Sequence, residues 1–274
     1  MGLWDRTAVA IGVVHLHPLP GAPSAQRDFD AVLEAAMSDA QAYKDAGFDA
    51  VLVENHGDAP FRKERCEPHV AASLALCARQ IRDAHGLPVG INCLRNDAHS
   101  ALGAAAVSGA AMIRVNVLVG AVATDQGLIE GCADSLLRYR QRLGAEVDVL
   151  ADVNVKFGTP LYDAPAPALA VTTIERGGAR GVIVTGSQTG SPPDVEQVAA
   201  IKDAVGTRGP VLVGSGADPA NVAAFAAHCD GFIVGSSCKR NGDPHQAVDL
   251  DRARAFMAAV SGVRTTSSPG GPDA

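Results

Sequence analysis

The stretch AGFDAVLVE, residues 46–54, joins a small-residue turn to a continuous apolar run that ends on a carboxylate. Three later stretches repeat the small-residue turn and the apolar run, namely SGAAMIRVN (108–116), RGGARGVIV (176–184) and HCDGFIVG (228–235). Apolar runs that are continuous rather than alternating are typical of strands buried on both faces. Each stretch therefore predicts one strand of a helix-covered parallel sheet.

The chain contains eight such runs, and Ala-rich segments with a helical pattern lie between them. The third and seventh runs begin with Pro-Val, whereas a small-residue turn precedes the even-numbered ones. A unit that recurs every two strands is typical of a closed barrel of four quarters. We therefore predict an α/β protein with a single (βα)8 TIM-type barrel over residues 1–263. The predicted strands are 8–14, 49–54, 88–92, 111–116, 147–153, 181–186, 210–216 and 230–236, and the predicted helices are 28–46, 67–85, 97–108, 129–143, 165–177, 194–205, 218–227 and 249–260.

The alternative fold is an open doubly wound sheet, but its G-x-G-x-x-G signature does not follow the first run.

The composition and the net charge limit the core and the possible partners of the protein. Apolar residues make up 47% of the chain and aromatic residues only 4%, so Ala, Val, Ile and Leu must build the core. The net charge of -7, without a basic block, argues against a nucleic-acid partner. It still permits an anionic small-molecule substrate.

The chain has the sequence features of a cytoplasmic protein. Its six cysteines form no C-x-x-C pair and are expected to be reduced thiols. No signal peptide is expected, and the most apolar region, 101–123, carries Arg114 and Asn116, so no membrane span is expected. Residues 264–274 are predicted to be a disordered C-terminal tail. A homo-oligomer is a general expectation for barrels of this type.

Polar side chains follow the apolar runs, where TIM barrels carry their chemistry, while the opposite ends offer mainly Gly, Pro and Ala. This asymmetry predicts an active site at the carboxyl ends of the strands. The predicted catalytic residues are His15, Glu54, Asp152 and Lys156, and the predicted substrate-binding residues are Asn55, Asn92, Arg95, Arg114, Asn116, Asn154, Ser187, Gly214, Ser215, Gly216, Gly235 and Ser236.

Lys156 lies in LADVNVKFG (150–158), two residues after Asn154 and four after Asp152. If the strand extends that far, its two-residue period points all three side chains into the barrel mouth. A lysine at this place can form a Schiff base with a carbonyl substrate, act as an acid, or hold a phosphate. The alternative is a structural ion pair between Lys156 and Asp152.

The loops after the last two strands carry a phosphate-binding pattern. VGSGAD (213–218) runs into a helix expected to begin near Pro219, and VGSSCK (234–239) follows the eighth strand. Small residues admit a ligand close to the backbone, and N–H and hydroxyl groups there can donate to phosphate. These two loops are the usual phosphate site of such barrels. The Gly/Ser-rich TGSQTGSPPD (185–194) can close over the same ligand.

IGVVHLHPLPG (11–21) ends the first strand with two histidines that could hold a metal. Metal-dependent barrel hydrolases normally add histidines after strands five and six, where this chain has Asn154, Lys156 and Thr185. We therefore predict no metal ligand and no cofactor, while leaving a divalent metal open. His15 is expected to be an acid, a base or a hydrogen-bond donor, and His17 part of the Pro-Leu-Pro-Gly turn.

Several long motifs, in order, resemble the BtpA/SgcQ family over about residues 8–260. They are IGVVHLHPLPGAP, GFDAVLVENHGDAPF, PVGINCLRNDA, IRVNVLVGAVATDQGLIEG, LADVNVKFGTPL, VTGSQTGSPP and VGSGADPANV. The resemblance implies a TIM-barrel-like fold, and it carries no catalytic roles. One branch of the family is linked to photosystem I biogenesis, and another is described as a nucleoside- or sugar-processing enzyme. His17 departs from the family pattern. The matching positions are His15, Glu54, Asn55, Asp58, Asn92, Arg95, Asn96, Asp97, Arg114, Asn116, Asp125, Asp152, Asn154 and Lys156.

The predicted function is that of an enzyme acting on a phosphorylated sugar or a nucleoside- or nucleotide-like small molecule. Lyase, isomerase and glycosyl-bond chemistry all fit these residues. One alternative is a non-catalytic ligand-binding or assembly factor, by analogy with the photosystem branch. Another is a metal-dependent hydrolase in which Glu54, Asp152 or Asn154 completes a metal shell begun by His15 and His17.

Overall fold

Eight parallel strands close into a barrel in the computed structural model, which describes residues 2–63, 65–161, 163–186 and 190–266. The first strand pairs with the second on one side and with the last on the other, so the barrel sheet has no free edge. The predicted (βα)8 fold is therefore confirmed. The barrel strands are β1 (Val9–His15), β2 (Ala50–Glu54), β3 (Val89–Asn92), β4 (Met112–Val115), β7 (Asp148–Val153), β9 (Gly181–Val184), β10 (Val211–Val213) and β11 (Gly231–Val234).

An α-helix follows each barrel strand, and local signals set where the helices begin and end. The carboxylate of Asp28 accepts a hydrogen bond from Ala31 N and so caps the first helix, which ends at a left-handed Gly47. A left-handed Gly109 ends the third helix in the same way. The helices are α1 (Phe29–Ala46), α2 (Pro68–His85), α3 (Ala98–Ser108), α4 (Ala133–Leu143), α5 (Ala166–Glu175), α6 (Val195–Val205), α7 (Val222–Ala226) and α8 (Leu250–Thr266).

Two apolar layers hold the barrel together, and the two-residue period of each strand divides its side chains between them. Along β1, Ile11 and Val13 point into the barrel, while Ala10 and Val14 pack against the helices. Each fully buried Val, Ile or Leu side chain contributes roughly 1.5–3 kcal/mol to the stability of the fold. Trp4 packs against the inner layer, and its indole N–H donates to Asp148 at 2.7 Å.

A small antiparallel sheet after β4 and β7 was not predicted. It consists of β5 (Ala121–Thr124), β6 (Gly127–Glu130) and β8 (Gly158–Pro160), with β5 in the middle. Val122 pairs with Ile129 and with Pro160. The predicted helix over 129–143 therefore begins later, at Ala133. Because β5 and β6 follow β4, and β8 follows β7, the sheet lies on the side of the barrel where the polar strand ends gather.

The last helix extends to Thr266, so residues 264–266 of the predicted tail are helical. The Arg264 guanidinium donates to the carbonyls of Thr7 and Ala8 and contacts Asp49, which ties this helix to the start of β1. The remainder of the predicted tail, 267–274, lies outside the described residues. In the part of the chain that is described, no helix has the length and apolarity needed to cross a membrane.

Candidate active site

The carboxyl ends of the barrel strands surround a polar cavity of about 210 Å³. Its lining combines ionisable side chains from the early strands with small residues from the loops after β10 and β11. Predicted catalytic and predicted phosphate-binding positions thus meet in one space. Among the lining residues are His15, Glu54, His56, Arg114, Lys156, Gly214, Ser215, Gly216, Gly235, Ser236 and Ser237.

Glu54 and His15 face each other at the ends of β2 and β1. His15 Nε2 lies 3.9 Å from Glu54 Oε1, and the second carboxylate oxygen accepts a hydrogen bond from Asn92 Nδ2 at 2.6 Å. Glu54 is buried, and Asn92 comes from the end of the neighbouring strand β3. Asn92 therefore positions the carboxylate and leaves Oε1 on the side of His15.

His15 is held as a neutral imidazole with a defined orientation. Its Nδ1 lies 3.1 Å from the carbonyl of Pro244, and its ring stacks on that of His56 with centroids 4.4 Å apart. Burial, followed by the charges of His56 and Lys239, lowers the pKa of His15 well below its usual value. A neutral ring that donates from Nδ1 presents a lone pair at Nε2, towards Glu54.

Lys156 enters the cavity from a loop rather than from a strand. The strand β7 ends at Val153, and left-handed residues Asn154 and Phe157 turn the chain on either side of Val155 and Lys156. The strand ends where it was predicted to end and does not extend to Lys156, because left-handed backbone ends the two-residue period. Burial and the nearby charge of Arg114 lower the pKa of Lys156 to about 8.

Asp152 accepts hydrogen bonds from two side chains, one on β4 and one in the loop that follows it. Arg114 donates to both of its carboxylate oxygens, at 3.0 and 3.1 Å, and Asn116 Nδ2 donates at 2.7 Å. Asp152 and Glu54 raise the pKa of the Arg114 guanidinium and outweigh the opposing effect of burial. Asp152 thus pairs with Arg114 rather than with Lys156, and the pair orients the guanidinium at the cavity wall.

The small residues of the last two loops let the backbone approach the cavity closely. A Cβ on Gly235 would lie 2.8 Å from the His15 ring, and a Cβ on Gly214 would lie 2.2 Å from the Ile183 side chain. Neither position therefore admits a larger residue without displacement of its neighbour. The helix α7 begins at Val222 rather than near Pro219, so the predicted phosphate site depends on the two loops themselves.

Several predicted substrate-binding residues lie behind the cavity wall. Asn55 accepts from Leu94 N at 2.7 Å and donates to Asp58 at 3.0 Å, so it connects two loops. Arg95 is buried and donates to the carbonyl of Lys156 at 2.5 Å, which supports the loop that carries this lysine. Side chains of this kind orient the residues that line the cavity.

One further predicted residue, Asn154, does not line this cavity, and another, Ser187, is not described. Asn154 lines a separate cleft beside β8, together with Phe157 and Thr159. Ser187 lies outside the described residues. The TGSQTGSPPD loop is likewise described only in part, although Gly190 lines the cavity.

His56 is the main residue that the predicted set of site residues omits. It lies two residues after Glu54, and its ring packs between His15 and His245, with the His245 centroid at 5.2 Å. Its Nδ1 is buried without a hydrogen-bond partner, and burial lowers its pKa. Its position directly after a strand end was the available sequence signal. His17, in contrast, does not line the cavity.

His15, Glu54 and His56 also form a group that could hold a metal ion. Each offers one ligand atom, and these atoms lie within 4.8 Å of one another. Neutral imidazoles and a carboxylate are ligands that suit Zn²⁺ and related ions. The predicted pair of His15 with His17 is not the one that the fold brings together.

The fold and the cavity define a class of protein, the TIM-type barrel with a charged site at the carboxyl ends of its strands. The BtpA family profile matches residues 6–262, and the chain belongs to the BtpA family. The photosystem I biogenesis protein BtpA of a Synechocystis species is 49% identical over 252 residues, which cover 92% of this chain and 87% of the relative.

Solved structures agree with the fold. A structure described as native KDPGal aligns with a TM-score of 0.58 at 19% identity and covers 93% of this chain and 96% of its own. N-(5'-phosphoribosyl)anthranilate isomerase from Pyrococcus furiosus aligns with a TM-score of 0.58 at 15% identity, covering 93% and 99%. At these identities the likeness shows the shared barrel fold.

Proposed function

We propose that this protein is an enzyme that acts on a phosphorylated sugar or a nucleotide-like small molecule through its carbonyl group. The observation that carries the proposal is the shared cavity, in which Lys156, with its pKa lowered to about 8, faces the Gly/Ser loops after β10 and β11. A reactive amine and a phosphate cradle in one space suit a small phosphorylated carbonyl compound.

The phosphate group is proposed to bind at residues 214–216 and 235–237. These residues line the cavity with small side chains that let a ligand approach the backbone, and Arg114 lines the same space. Such loops are the common phosphate site of TIM barrels. The name of the isomerase with the similar fold includes a phosphoribosyl group. By analogy of fold, this name supports a phosphate site at these loops.

The proposed reaction begins when the neutral Lys156 amine adds to the substrate carbonyl. Loss of water from the adduct then forms an imine, which withdraws electrons from the neighbouring carbon. Glu54 and His15 are the groups placed to move protons in these steps, since they face the cavity 3.9 Å apart. Arg114, held by Asp152, is proposed to orient the phosphorylated substrate. Such an imine suits both lyase and isomerase chemistry.

The test is borohydride trapping with ribose 5-phosphate and glyceraldehyde 3-phosphate as probes. Reduction of an imine leaves a stable adduct, and peptide mass spectrometry should locate it at Lys156. Lys156→Arg, which keeps the charge but cannot form an imine, should give no adduct there. Lys202→Arg is the matched control. Lys202 does not line the cavity, and its Nζ pairs with Asp230 Oδ1 at 2.6 Å. An adduct spread evenly over surface lysines would exclude the imine.

A second candidate is metal-dependent hydrolysis, favoured by the grouping of His15, Glu54 and His56. A bound Zn²⁺ would lower the pKa of a water molecule and supply the nucleophile. Elemental analysis of purified protein before and after dialysis against a chelator tests it. One equivalent of bound metal in the wild type that is absent from His56→Ala would favour this candidate. Metal-free protein that still forms the reduced adduct at Lys156 would exclude it.

A non-catalytic role is the third candidate, because the similar Synechocystis protein is named for photosystem I biogenesis. The double variant Glu54→Gln, Lys156→Ala separates this role from catalysis. It removes the proposed reactive groups from the cavity and leaves the surface unchanged. If the biological activity of the protein survives in this variant, the non-catalytic role is favoured.

A further inference from the structure

Two thiols and a carboxylate meet outside the cavity, where the segment before α2 passes the loop after β3. The ligand-capable atoms of Cys66, Cys93 and Asp97 lie within 4.8 Å of one another. Asp97 accepts hydrogen bonds from Cys66 N at 2.8 Å and from Ser100 N at 3.0 Å. The carboxylate thus joins the two segments that carry the sulfur atoms and holds the thiols close together.

The two thiols differ in reactivity. A hydrogen bond from Cys93 lowers the pKa of Cys66, which is half-buried. The same hydrogen bond and burial raise the pKa of Cys93 well above its usual value. Elsewhere, burial raises the pKa of Cys132 to about 11 and that of Cys77 to about 12. Cys66 therefore carries the most thiolate character of this set, with a protonated thiol beside it.

We propose that Cys66 is an oxidant-sensitive thiol and that Cys93 converts its oxidised form into an intramolecular disulfide. The inference goes beyond the proposed catalytic function. Its basis is that the sulfur atoms of a half-buried and a buried cysteine lie within 4.8 Å of each other, on two segments held by Asp97. A reactive cysteine beside a resolving cysteine is the arrangement found at reversible thiol-oxidation sites.

The oxidant is a hydroperoxide, and hydrogen peroxide is the simplest case. The Cys66 thiolate attacks one peroxide oxygen, the O–O bond breaks, and hydroxide takes up a proton to leave as water. The sulfur of Cys93 then attacks the sulfenic sulfur, the S–O bond breaks, and the thiol proton leaves with the hydroxyl group as a second water. Two thiols lose two electrons in total, and one peroxide is reduced to two waters.

The pair is connected to the cavity through the end of β3. Cys93 directly follows Asn92, whose side chain donates to Glu54 at 2.6 Å. The next residue, Leu94, donates its backbone N–H to Asn55 at 2.7 Å. A covalent bond that draws Cys93 towards Cys66 acts on this segment, so oxidation is expected to change the position of the Glu54 carboxylate.

The test uses the full chain, reduced and then treated with hydrogen peroxide near neutral pH. After alkylation of remaining thiols, non-reducing peptide mapping should find Cys66 linked to Cys93, and dithiothreitol should reverse the link. The Cys66 thiol should be lost at least about 10-fold faster than that of Cys132, because the thiolate is the reacting form. Cys132→Ser is the matched control and should form the disulfide at the wild-type rate.

The Cys93→Ser variant separates the two steps. It should accumulate a Cys66 sulfenic acid that dimedone labels, whereas Cys66→Ser should show neither label nor disulfide. Equal loss of the Cys66 and Cys132 thiols, or a disulfide between other cysteines, would overturn the proposal. So would zinc that copurifies with the reduced protein and is lost in Cys66→Ser. If a variant fails to fold, the wild-type peptide map still decides.

Discussion

His15 Nε2 lies 3.9 Å from Glu54 Oε1, across two neighbouring strands on which the two residues pair in register. Each partner is held from behind, His15 by the Pro244 carbonyl and Glu54 by the Asn92 amide. The facing atoms are therefore oriented towards each other by one strand neighbour and by one residue of the segment after β11. Because the parallel strands β1 and β2 end at one level, they bring the imidazole and the carboxylate together at the cavity.

The first prediction concerns the Glu54 carboxylate. Glu54→Gln keeps the shape of the side chain and an oxygen that can accept from Asn92, but it removes the charge that faces His15. We expect the rate of imine trapping at Lys156 to fall by about 10²-fold, as is usual for loss of a general acid or base. Inorganic phosphate should bind at least as tightly in calorimetry, since the loops at 214–216 and 235–237 are untouched and a negative charge is removed from the same cavity.

The control for this prediction is Glu67→Gln, at an exposed residue that pairs with Arg62 at 2.5 Å on the surface. It should leave the trapping rate unchanged. Equal trapping rates in Glu54→Gln and the wild type would contradict a proton-transfer role for Glu54. A lower melting temperature in Glu54→Gln alone would indicate a structural effect, so both variants are to be compared by thermal unfolding.

The second prediction concerns the pH dependence of Lys156. Burial, followed by the charge of Arg114, lowers its pKa from 10.5 to about 8, so the reactive neutral amine forms as the pH rises through about 8. Below that value the initial rate of imine formation should increase roughly tenfold per pH unit, and above it the rate should level off. Trapping of the phosphorylated probe across a pH series measures this curve. A rate that rises without a break to pH 10.5 would mean that the lysine is unperturbed.

Much of the fold was predictable because its signals are local. Continuous apolar runs marked every barrel strand, and most helix boundaries lie within one or two residues of those expected, as for α2 and α6. The small sheet was missed because its strands are mostly exposed or half-buried, so they lack the continuous apolar runs that marked the barrel strands. In the site, Glu54 and His15 were found as polar residues at strand ends, which the barrel topology places at one edge.

Other features depend on tertiary contacts that a linear pattern does not contain. Nothing local shows that Asp152 pairs with Arg114 instead of Lys156, because the partners are 38 residues apart. The left-handed backbone at Asn154 breaks the two-residue period after β7, and the Asn154 side chain lines another cleft. His56 stacks on His15 only because β1 and β2 are neighbours in the barrel.

The third prediction concerns the backbone approach at Gly235. In Gly235→Ala the new Cβ would lie 2.8 Å from the His15 ring, so either the ring or the loop after β11 must move. We expect the affinity for inorganic phosphate to fall at least about tenfold, because the donors of this loop are displaced. Isothermal titration calorimetry measures the change.

A glycine with open space around it provides the control for Gly235→Ala. Gly262 lies within α8, and a Cβ there meets no atom within 4 Å. Gly262→Ala should leave phosphate affinity unchanged and stabilise the helix by roughly 0.5–1 kcal/mol. If Gly235→Ala binds phosphate as the wild type does, the loop after β11 is not part of the phosphate site.

The fourth prediction concerns the buried ion pair that anchors the segment after β11. Lys239 Nζ lies 2.5 Å from Asp39 of α1, and the other carboxylate oxygen accepts from Val248 N at 2.7 Å. Lys239 is only 1% exposed, so Lys239→Met leaves Asp39 as a buried charge without its cation. We expect the free energy of unfolding, measured in urea, to fall by about 3–5 kcal/mol.

Arg138→Met is the control for Lys239→Met. It removes an exposed ion pair with Asp134 and should leave the free energy of unfolding almost unchanged. Equal small losses in both variants would mean that solvent reaches Asp39.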